Sequence, residues 1–286
     1  MIISSNRLFQ VFKYAVYALL AMNIYWFFRE EHAAAALQFA DGLALADVIE
    51  AYSATIDTAA WVVLLLMFEL ETHVLEDRHF TPLVTRALHG LRIICYAFIA
   101  YAFYGYVQNL LFVSGTEPLA GVRDLCSLVS GDWSWTTTLD EYATITAANC
   151  GDWSTAVDFV RFSGMQAVVD APGLTDIVRL AWVDVINSAV WLLVVLVLEI
   201  DVRLQERNRY EGIALHASTA AKSVLYFLLL LAAIYWGIKG DFVDFWDAFL
   251  WLVAFVFIEL NVFEWRAEEH AVRSVAAERD IRDQDT

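Results

Sequence analysis

Six long runs of apolar residues follow one another along the chain, separated by shorter polar stretches. The hydrocarbon core of a bilayer is about 30 Å thick, and a helix needs roughly 20 mostly apolar residues to cross it. The runs predict membrane-spanning helices at about 8–28, 52–71, 91–113, 181–200, 222–238 and 244–263. We therefore expect an all-α, polytopic membrane protein with six transmembrane helices.

The second, fourth and sixth of these helices share a spaced motif. Each copy has Asp or Asn, three residues, Trp, seven residues, Glu, Leu or Ile, and then Glu, Asp or Asn. The copies begin at Asp57, Asn187 and Asp247. Agreement of several positions in three separate helices indicates an internal repeat.

The first, third and fifth helices repeat more weakly. Each has a basic residue four positions before a Tyr and a second Tyr eight or nine positions after it. The basic residues are Lys13, Arg92 and Lys222, and the second tyrosines are Tyr25, Tyr104 and Tyr235. The repeating unit is therefore a two-helix hairpin, and three such hairpins are expected to surround a pseudo-threefold axis along the membrane normal.

This organisation divides the chain into consecutive segments. The first hairpin has its first helix and outer connection in 1–51 and its second helix and inner loop in 52–87. The second hairpin has its first helix in 88–113, an acidic Trp-rich loop in 114–177, and its second helix with an inner loop in 178–218. The third hairpin occupies 219–263, and a helical extension and tail follow in 264–286.

Acidic residues lie at two depths of the motif-bearing helices. Insertion scales put the cost of a carboxylate at the bilayer centre at about 2.5–3.5 kcal/mol, so such residues usually mark a functional site. The first acid of a motif and its Glu are 12 residues apart, or about 18 Å along a helix. The candidate residues are Asp57, Asn187, Asp247, Asp184 and Asp244 in the outer half, and Glu69, Glu199, Glu259, Glu71 and Asp201 in the inner half.

Two interpretations of these acids remain open. In one, the three Trp-bearing helices line the axis, and rings of acids select cations or move protons. In the other, a ladder of bonds within each hairpin fixes helix register. The ladder would have inner pairs Lys13–Glu69, Arg92–Glu199 and Lys222–Glu259, and outer pairs Tyr25–Asp57, Tyr104–Asn187 and Tyr235–Asp247.

The loop between the third and fourth spans is long enough to carry structure of its own. It contains Cys126 and Cys150, for which we expect a disulfide, and Trp133, Trp135 and Trp153 lie between or beside them. From residue 114 to 176 it has nine acidic and two basic residues. We expect it to shield an entrance, attract cations or dock a partner.

Composition and charge agree with a membrane location. Hydrophobic residues make up 60% of the chain and charged residues 19%, against about 25% charged in soluble domains. The net charge of −17 argues against nucleic acid, which needs a basic surface. Of the 18 Lys and Arg, only five lie on the side away from the termini: Arg29, Arg123, Arg161, Arg179 and Lys239. The positive-inside rule then places both termini in the cytoplasm of a plasma (inner) membrane protein.

These observations predict a membrane channel or transporter for a cation or proton. The alternative is a non-transporting subunit, scaffold or assembly factor that binds proteins through the Trp-rich loop and its lipid-facing surface. The expected partners are the lipid bilayer, a cation, and a second copy of the chain or another membrane protein. The sequence has no Gly-rich phosphate loop, nucleophile elbow or paired Cys-x-x-Cys, so we expect no catalytic residues, metal site or cofactor.

Overall fold

The computed structural model describes residues 2–39, 42–45, 47–71, 81–154, 158–206 and 212–255. The described chain is predominantly helical. Four of its helical stretches are long and apolar enough to cross a membrane: Leu8–Gln38, Pro82–Ser114, Ala171–Asp201 and Ile213–Lys239. The predicted helical, membrane-spanning character is thus confirmed for four helices.

Eight helices occupy most of the described residues. They are α1 (Ile2–Gln38), α2 (Val48–Ala51), α3 (Ser53–Glu69), α4 (Pro82–Ser114), α5 (Cys150–Trp153), α6 (Ala171–Glu206), α7 (Ile213–Lys239) and α8, which begins at 242 and is described to 255. Helix α3 corresponds to the predicted second span. Its 17 residues are about 26 Å long. Helix α8 corresponds to the predicted sixth span.

Proline and glycine mark the ends of the long helices. Pro82 opens α4, where its missing N–H is not needed, and the Thr81 side chain accepts a hydrogen bond from the Val84 N–H. Helix α7 ends at Lys239 and is followed by Gly240, whose left-handed backbone has a φ of 84°. Such a φ favours glycine and lets the chain turn sharply into α8.

The long helices pack side by side in an order that follows the chain. Helix α3 contacts α1 and α4, α4 also contacts α6, and α6 contacts α7. Gly105 permits a close approach, because a Cβ there would lie 2.7 Å from the Ile49 carbonyl oxygen and 2.9 Å from the Ser53 Cβ. Helix α4 therefore lies directly against the start of α3.

The connection between α4 and α6 folds into a small domain, called the cap below. Its strands are β1 (Thr116–Pro118), β2 (Ser134–Thr136), β3 (Tyr142–Thr144), β4 (Phe159–Phe162) and β5 (Ala167–Asp170). They form one sheet in the order β1-β4-β5-β2-β3, antiparallel except between β2 and β5. The all-α prediction missed this sheet, whose strands are only three or four residues long and carry little sequence periodicity.

The Cys126–Cys150 disulfide is present in the cap, as predicted. Around it a small core forms from Leu125, Ile145, Phe159 and Val168. Trp135 joins this core and stacks on Trp153, with ring centroids 5.5 Å apart. These two indoles therefore stabilise the cap from inside.

Two larger apolar clusters divide the helical bundle along its length. One lies toward the end of the bundle where α1 begins, called the terminal end below. It includes Leu20, Ile99, Val194 and Leu229. The other lies at the end that carries the cap (the loop end) and joins cap residues to Leu180, Ala233 and other helix residues. The cap is therefore packed firmly onto the loop end of the bundle.

Large apolar side chains also cover the outside of the bundle. On α4, Ile93 is 67% exposed and Leu111 60%, and on α7, Phe227 is 58% exposed. Exposed apolar surface of this extent, running along several helices, is typical of a surface that contacts lipid.

Candidate functional site

The three tryptophans of the repeated motif meet inside the bundle. The ring centroids are 5.7 Å apart for Trp61 and Trp191, 6.1 Å for Trp61 and Trp251, and 6.4 Å for Trp191 and Trp251. All three rings are buried and belong to the apolar cluster at the terminal end. We call them the Trp triangle; α3, α6 and α8 each contribute one ring.

A cavity lies on the loop-end side of the Trp triangle. Its inner lobe, together with the open solvent at its mouth, contains about 550 Å³ of space outside protein atoms. The described lining residues combine aromatic rings with acids and contain no Lys or Arg. They are Phe27, Asp57, Thr58, Trp61, Tyr106, Asp184, Asn187, Trp191, Trp236, Asp244, Asp247, Ala248 and Trp251. The first residue of each motif copy therefore faces the same space.

An outer lobe, also of about 550 Å³, shares Phe27, Tyr106, Asp184 and Asp244 with the inner lobe. Its lining adds carboxylates from α1, α2 and the cap, and again no Lys or Arg among the described residues. The added acids are Glu30, Glu31, Glu50 and Asp140. We call the two lobes together the acidic chamber. Eight acidic side chains line it.

Polar atoms around the inner lobe are only partly hydrogen-bonded. Asp57 Oδ1 and Asn187 Oδ1 are buried and have no hydrogen-bond partner. The Asn23 side chain donates to Asp247 Oδ1 at 2.8 Å, and the Trp236 indole N–H donates to Asp184 Oδ1 at 3.2 Å. An unpaired buried acceptor is costly, so these two oxygens favour a donor supplied by water or by a ligand.

Glu31 has a structural role at the wall of the outer lobe. Its carboxylate accepts hydrogen bonds from the Ala54 N–H at 2.6 Å, the Thr55 N–H at 3.0 Å and the Thr55 hydroxyl at 2.6 Å. These N–H groups belong to the first turn of α3, where unpaired donors and the helix dipole favour an anion. Glu31 therefore fixes the start of α3 against α1.

The cap and the α7–α8 turn bring two further acids to the loop end. Asp140 comes from the cap, and Asp241 follows the Gly240 turn. Burial first, and then the negative charge of Asp241, raise the pKa of Asp140 to about 7. Burial also raises the pKa of Asp241. Asp140, which lies where the cap meets the bundle, therefore titrates close to neutral pH.

Ion pairs hold the helices together at the terminal end. Lys13 is fully buried, and its Nζ lies 2.6 Å from Glu69 Oε1, which also accepts from the Tyr14 hydroxyl at 3.0 Å. This contact agrees with the expected pairing within the first hairpin. In the described residues the other basic partners bind differently from the expected ladder.

Arg92 and Lys222 each pair with an acid that lies 21 residues earlier in the chain. The Arg92 Nη2 lies 2.7 Å from Glu71 Oε2, and the Lys222 Nζ lies 3.1 Å from Asp201 Oδ2. Asp201 also accepts from the Ser218 hydroxyl at 2.6 Å. The pairs therefore use the last acid of each motif, because the basic helix packs beside the helix that precedes it.

The remaining inner candidates are less enclosed. Glu199, expected opposite Arg92, instead pairs with Arg203 one turn along the same helix, and its side chain is 51% exposed. Glu259 lies outside the described residues. The inner acids thus stand mostly in ion pairs, away from the acidic chamber.

The expected outer tyrosine rungs are replaced by other side chains. Tyr25 and Tyr104 are 54% and 50% exposed on the outer surface. The Tyr235 hydroxyl is buried without a hydrogen-bond partner. Tyr106 lines the chamber instead of Tyr104. Two residues correspond to about 200° around a helix, so the prediction chose the wrong face.

Several chamber residues were absent from the sequence prediction. Asn23 and Trp236 bind its acids, and Glu30 and Asp140 line its outer lobe. A lone amide in the middle of an apolar run was the available signal for Asn23. Asp140 carried no such signal, because only the folded cap brings it to the bundle.

Among the described residues, no three His, Cys, Asp or Glu side chains are grouped so that they could hold a metal ion. Comparison of the chain with protein-family models, curated proteins and solved structures finds no match.

Proposed function

We propose that the protein is an integral membrane transporter for a cation or proton, and that the acidic chamber binds the cargo. One observation carries the proposal: Asp57, Asn187 and Asp247, from three different helices, line one cavity inside the bundle. Ionisable residues within membrane helices cluster on transport pathways because elsewhere their desolvation has no compensation. The eight acidic side chains of the chamber would supply oxygen ligands to a cation and sites for a moving proton.

The Trp triangle supports a carrier in preference to an open channel. Its buried rings form the floor of the inner lobe, and the apolar cluster continues from it toward the terminal end. A carrier exposes its site to one side at a time, with a closed barrier on the other. In this proposal Asp57 and Asp247 hold the cargo, while the inner ion pairs stabilise the helices.

The proposal includes an orientation. The bias of Lys and Arg toward the side of the termini supports cytoplasmic termini in a plasma (inner) membrane. The Cys126–Cys150 disulfide supports an oxidising, outer location for the cap. The acidic chamber would then receive its cargo from outside the cell.

The scaffold alternative draws less support from the described residues. It would bind proteins through the Trp-rich loop, which forms the cap, and through the lipid-facing surface. Trp135 is buried and stacks on Trp153 in the core of the cap. Trp135 is therefore not free to anchor a partner.

The proposal is tested by ion flux into liposomes that contain the purified full chain. Internal dyes report proton and cation entry under imposed gradients, for wild type and for a variant with Asp57→Asn and Asp247→Asn. The matched control carries Asp132→Asn and Asp158→Asn, which remove two exposed carboxylates of the cap. Circular dichroism and gel filtration establish that every variant folds.

We expect flux from wild type and from the control, and a loss of at least tenfold from the chamber variant. Absence of flux from folded wild type under several gradients and voltages would refute the proposal. Equal flux from the chamber variant would remove Asp57 and Asp247 from the pathway.

A further inference from the structure

We propose that the cargo is a small organic cation with a primary ammonium group, bound in the inner lobe between three acceptors and the Trp triangle. The acceptors are Asp57, Asn187 and Asp247. This inference rests on the proposed transport function and names the chemical class of its substrate.

The acceptors occupy matching places above the rings. Each lies four residues before a tryptophan of the Trp triangle, so each stands about one helical turn toward the loop end. Asp57 Oδ1 and Asn187 Oδ1 are buried and lack hydrogen-bond partners. Asp247 is oriented by the Asn23 amide. A primary ammonium carries three N–H donors, which is the number of helices that supply an acceptor here.

Asn187 lowers the negative charge of the acceptor set, which affects the ligand charge that the site favours. An amide oxygen keeps a hydrogen-bond acceptor at this position while it removes one negative charge from the set. Two carboxylates and an amide suit a monovalent, hydrogen-bonding cation, because a charged donor bonds strongly to a carboxylate and still benefits from a neutral acceptor. The Asn187 position therefore contributes geometry more than charge.

The aromatic walls supply the organic part of the recognition. Phe27, Trp236 and the rings of the Trp triangle line the same lobe as the acids. Indole and phenyl rings attract organic ammonium ions through their faces and also pack against an alkyl stem. The inner lobe therefore offers aromatic faces and polar acceptors to the same ligand.

Isothermal titration calorimetry of the full chain in lipid nanodiscs tests the inference. The titrants are butylammonium chloride, tetramethylammonium chloride, butan-1-ol, potassium chloride and magnesium chloride. We expect butylammonium to bind at least tenfold more tightly than the other four. Tetramethylammonium has no N–H donor, so it cannot hydrogen-bond to the three acceptors. Butan-1-ol carries no charge, so it lacks the attraction of a cation to the carboxylates and the aromatic rings.

Variants separate the roles of the acceptors. Asp57→Asn and Asn187→Leu should each weaken butylammonium binding by tenfold or more. Asn187→Asp keeps an acceptor and should retain binding, which distinguishes recognition from a folding defect. The control Glu117→Gln removes an exposed cap carboxylate and should leave binding unchanged.

Three results would overturn the inference: no binding of butylammonium, equal or tighter binding of tetramethylammonium, or tighter binding of potassium or magnesium. The transport proposal fails separately. If proton or potassium flux depends on Asp57 and Asp247 while butylammonium does not bind, the substrate class is wrong and transport stands. If butylammonium binds but no cation, itself included, crosses the liposome membrane, the site stands and transport is wrong.

Discussion

Replacement of Lys13 by Met should destabilise the protein by about 3–5 kcal/mol, the cost of removing one partner of a buried ion pair. The Lys13 side chain is 0% exposed, and its Nζ lies 2.6 Å from Glu69 Oε1. The substitution keeps the apolar stem but removes the ammonium group that contacts the buried Glu69 carboxylate. Loss of that cation, more than loss of packing, dominates the expected change.

A second substitution isolates the electrostatic part. Glu69→Gln in the Lys13→Met background removes the buried charge, and we expect the double variant to recover to within about 1 kcal/mol of wild type, because replacing a whole buried pair is often nearly neutral. Arg203→Met is the matched control. It breaks the exposed pair with Glu199 and should cost no more than about 0.5 kcal/mol.

The assay is equilibrium unfolding in mixed detergent micelles, followed by circular dichroism, with the free energy of unfolding compared among variants. A loss below about 1 kcal/mol for Lys13→Met, far under the usual cost of breaking a buried ion pair, would refute the reasoning. So would a double variant no more stable than the single one. The double variant should also retain cation flux, since the proposal gives this pair a structural role.

Three further changes have defined outcomes. Cys126→Ser with Cys150→Ser opens a loop of 24 residues and should destabilise the cap by about 3 kcal/mol, measured by hydrogen exchange of cap amides. Because the pKa of Asp140 is about 7 in the folded protein and 3.8 ordinarily, its contribution to stability should fall as pH rises from about 4 to 7 and then level off. Asp140→Asn should abolish that part of the fall in melting temperature. Gly105→Ala should lower the melting temperature, because the new Cβ would clash with the backbone of Ile49. Gly90→Ala in the same helix has open space at its Cβ, so it should stabilise the protein by about 0.5–1 kcal/mol.

Hydropathy predicted the helical fold well because each span needs a run of apolar residues that is visible in the sequence. The runs understated helix length: α1 continues to Gln38 and α6 begins at Ala171, well outside the apolar runs. Polar residues such as Glu31 extend the helices because tertiary contacts satisfy them. The cap sheet could not be read in the same way, since its short strands pair across distant parts of the loop.

The candidate site was predictable at the motif positions and not between them. The spacing of Asp57 and Trp61 recurs in three helices, and the structure brings the corresponding residues to one cavity. Pairing is harder to predict, because it depends on which helices are neighbours. Equal spacing suggested an ion pair between Arg92 and Glu199. In the structure α4 packs on α3, and Arg92 therefore forms its ion pair with Glu71.

The Trp triangle also has an optical consequence. Three indoles with ring centroids 5.7–6.4 Å apart are close enough for their excited states to couple, so they contribute jointly to the near-ultraviolet circular dichroism. Anything that enters the inner lobe meets these rings directly. The chain therefore carries its own chromophore at the floor of the cavity, and occupancy can be followed without a label.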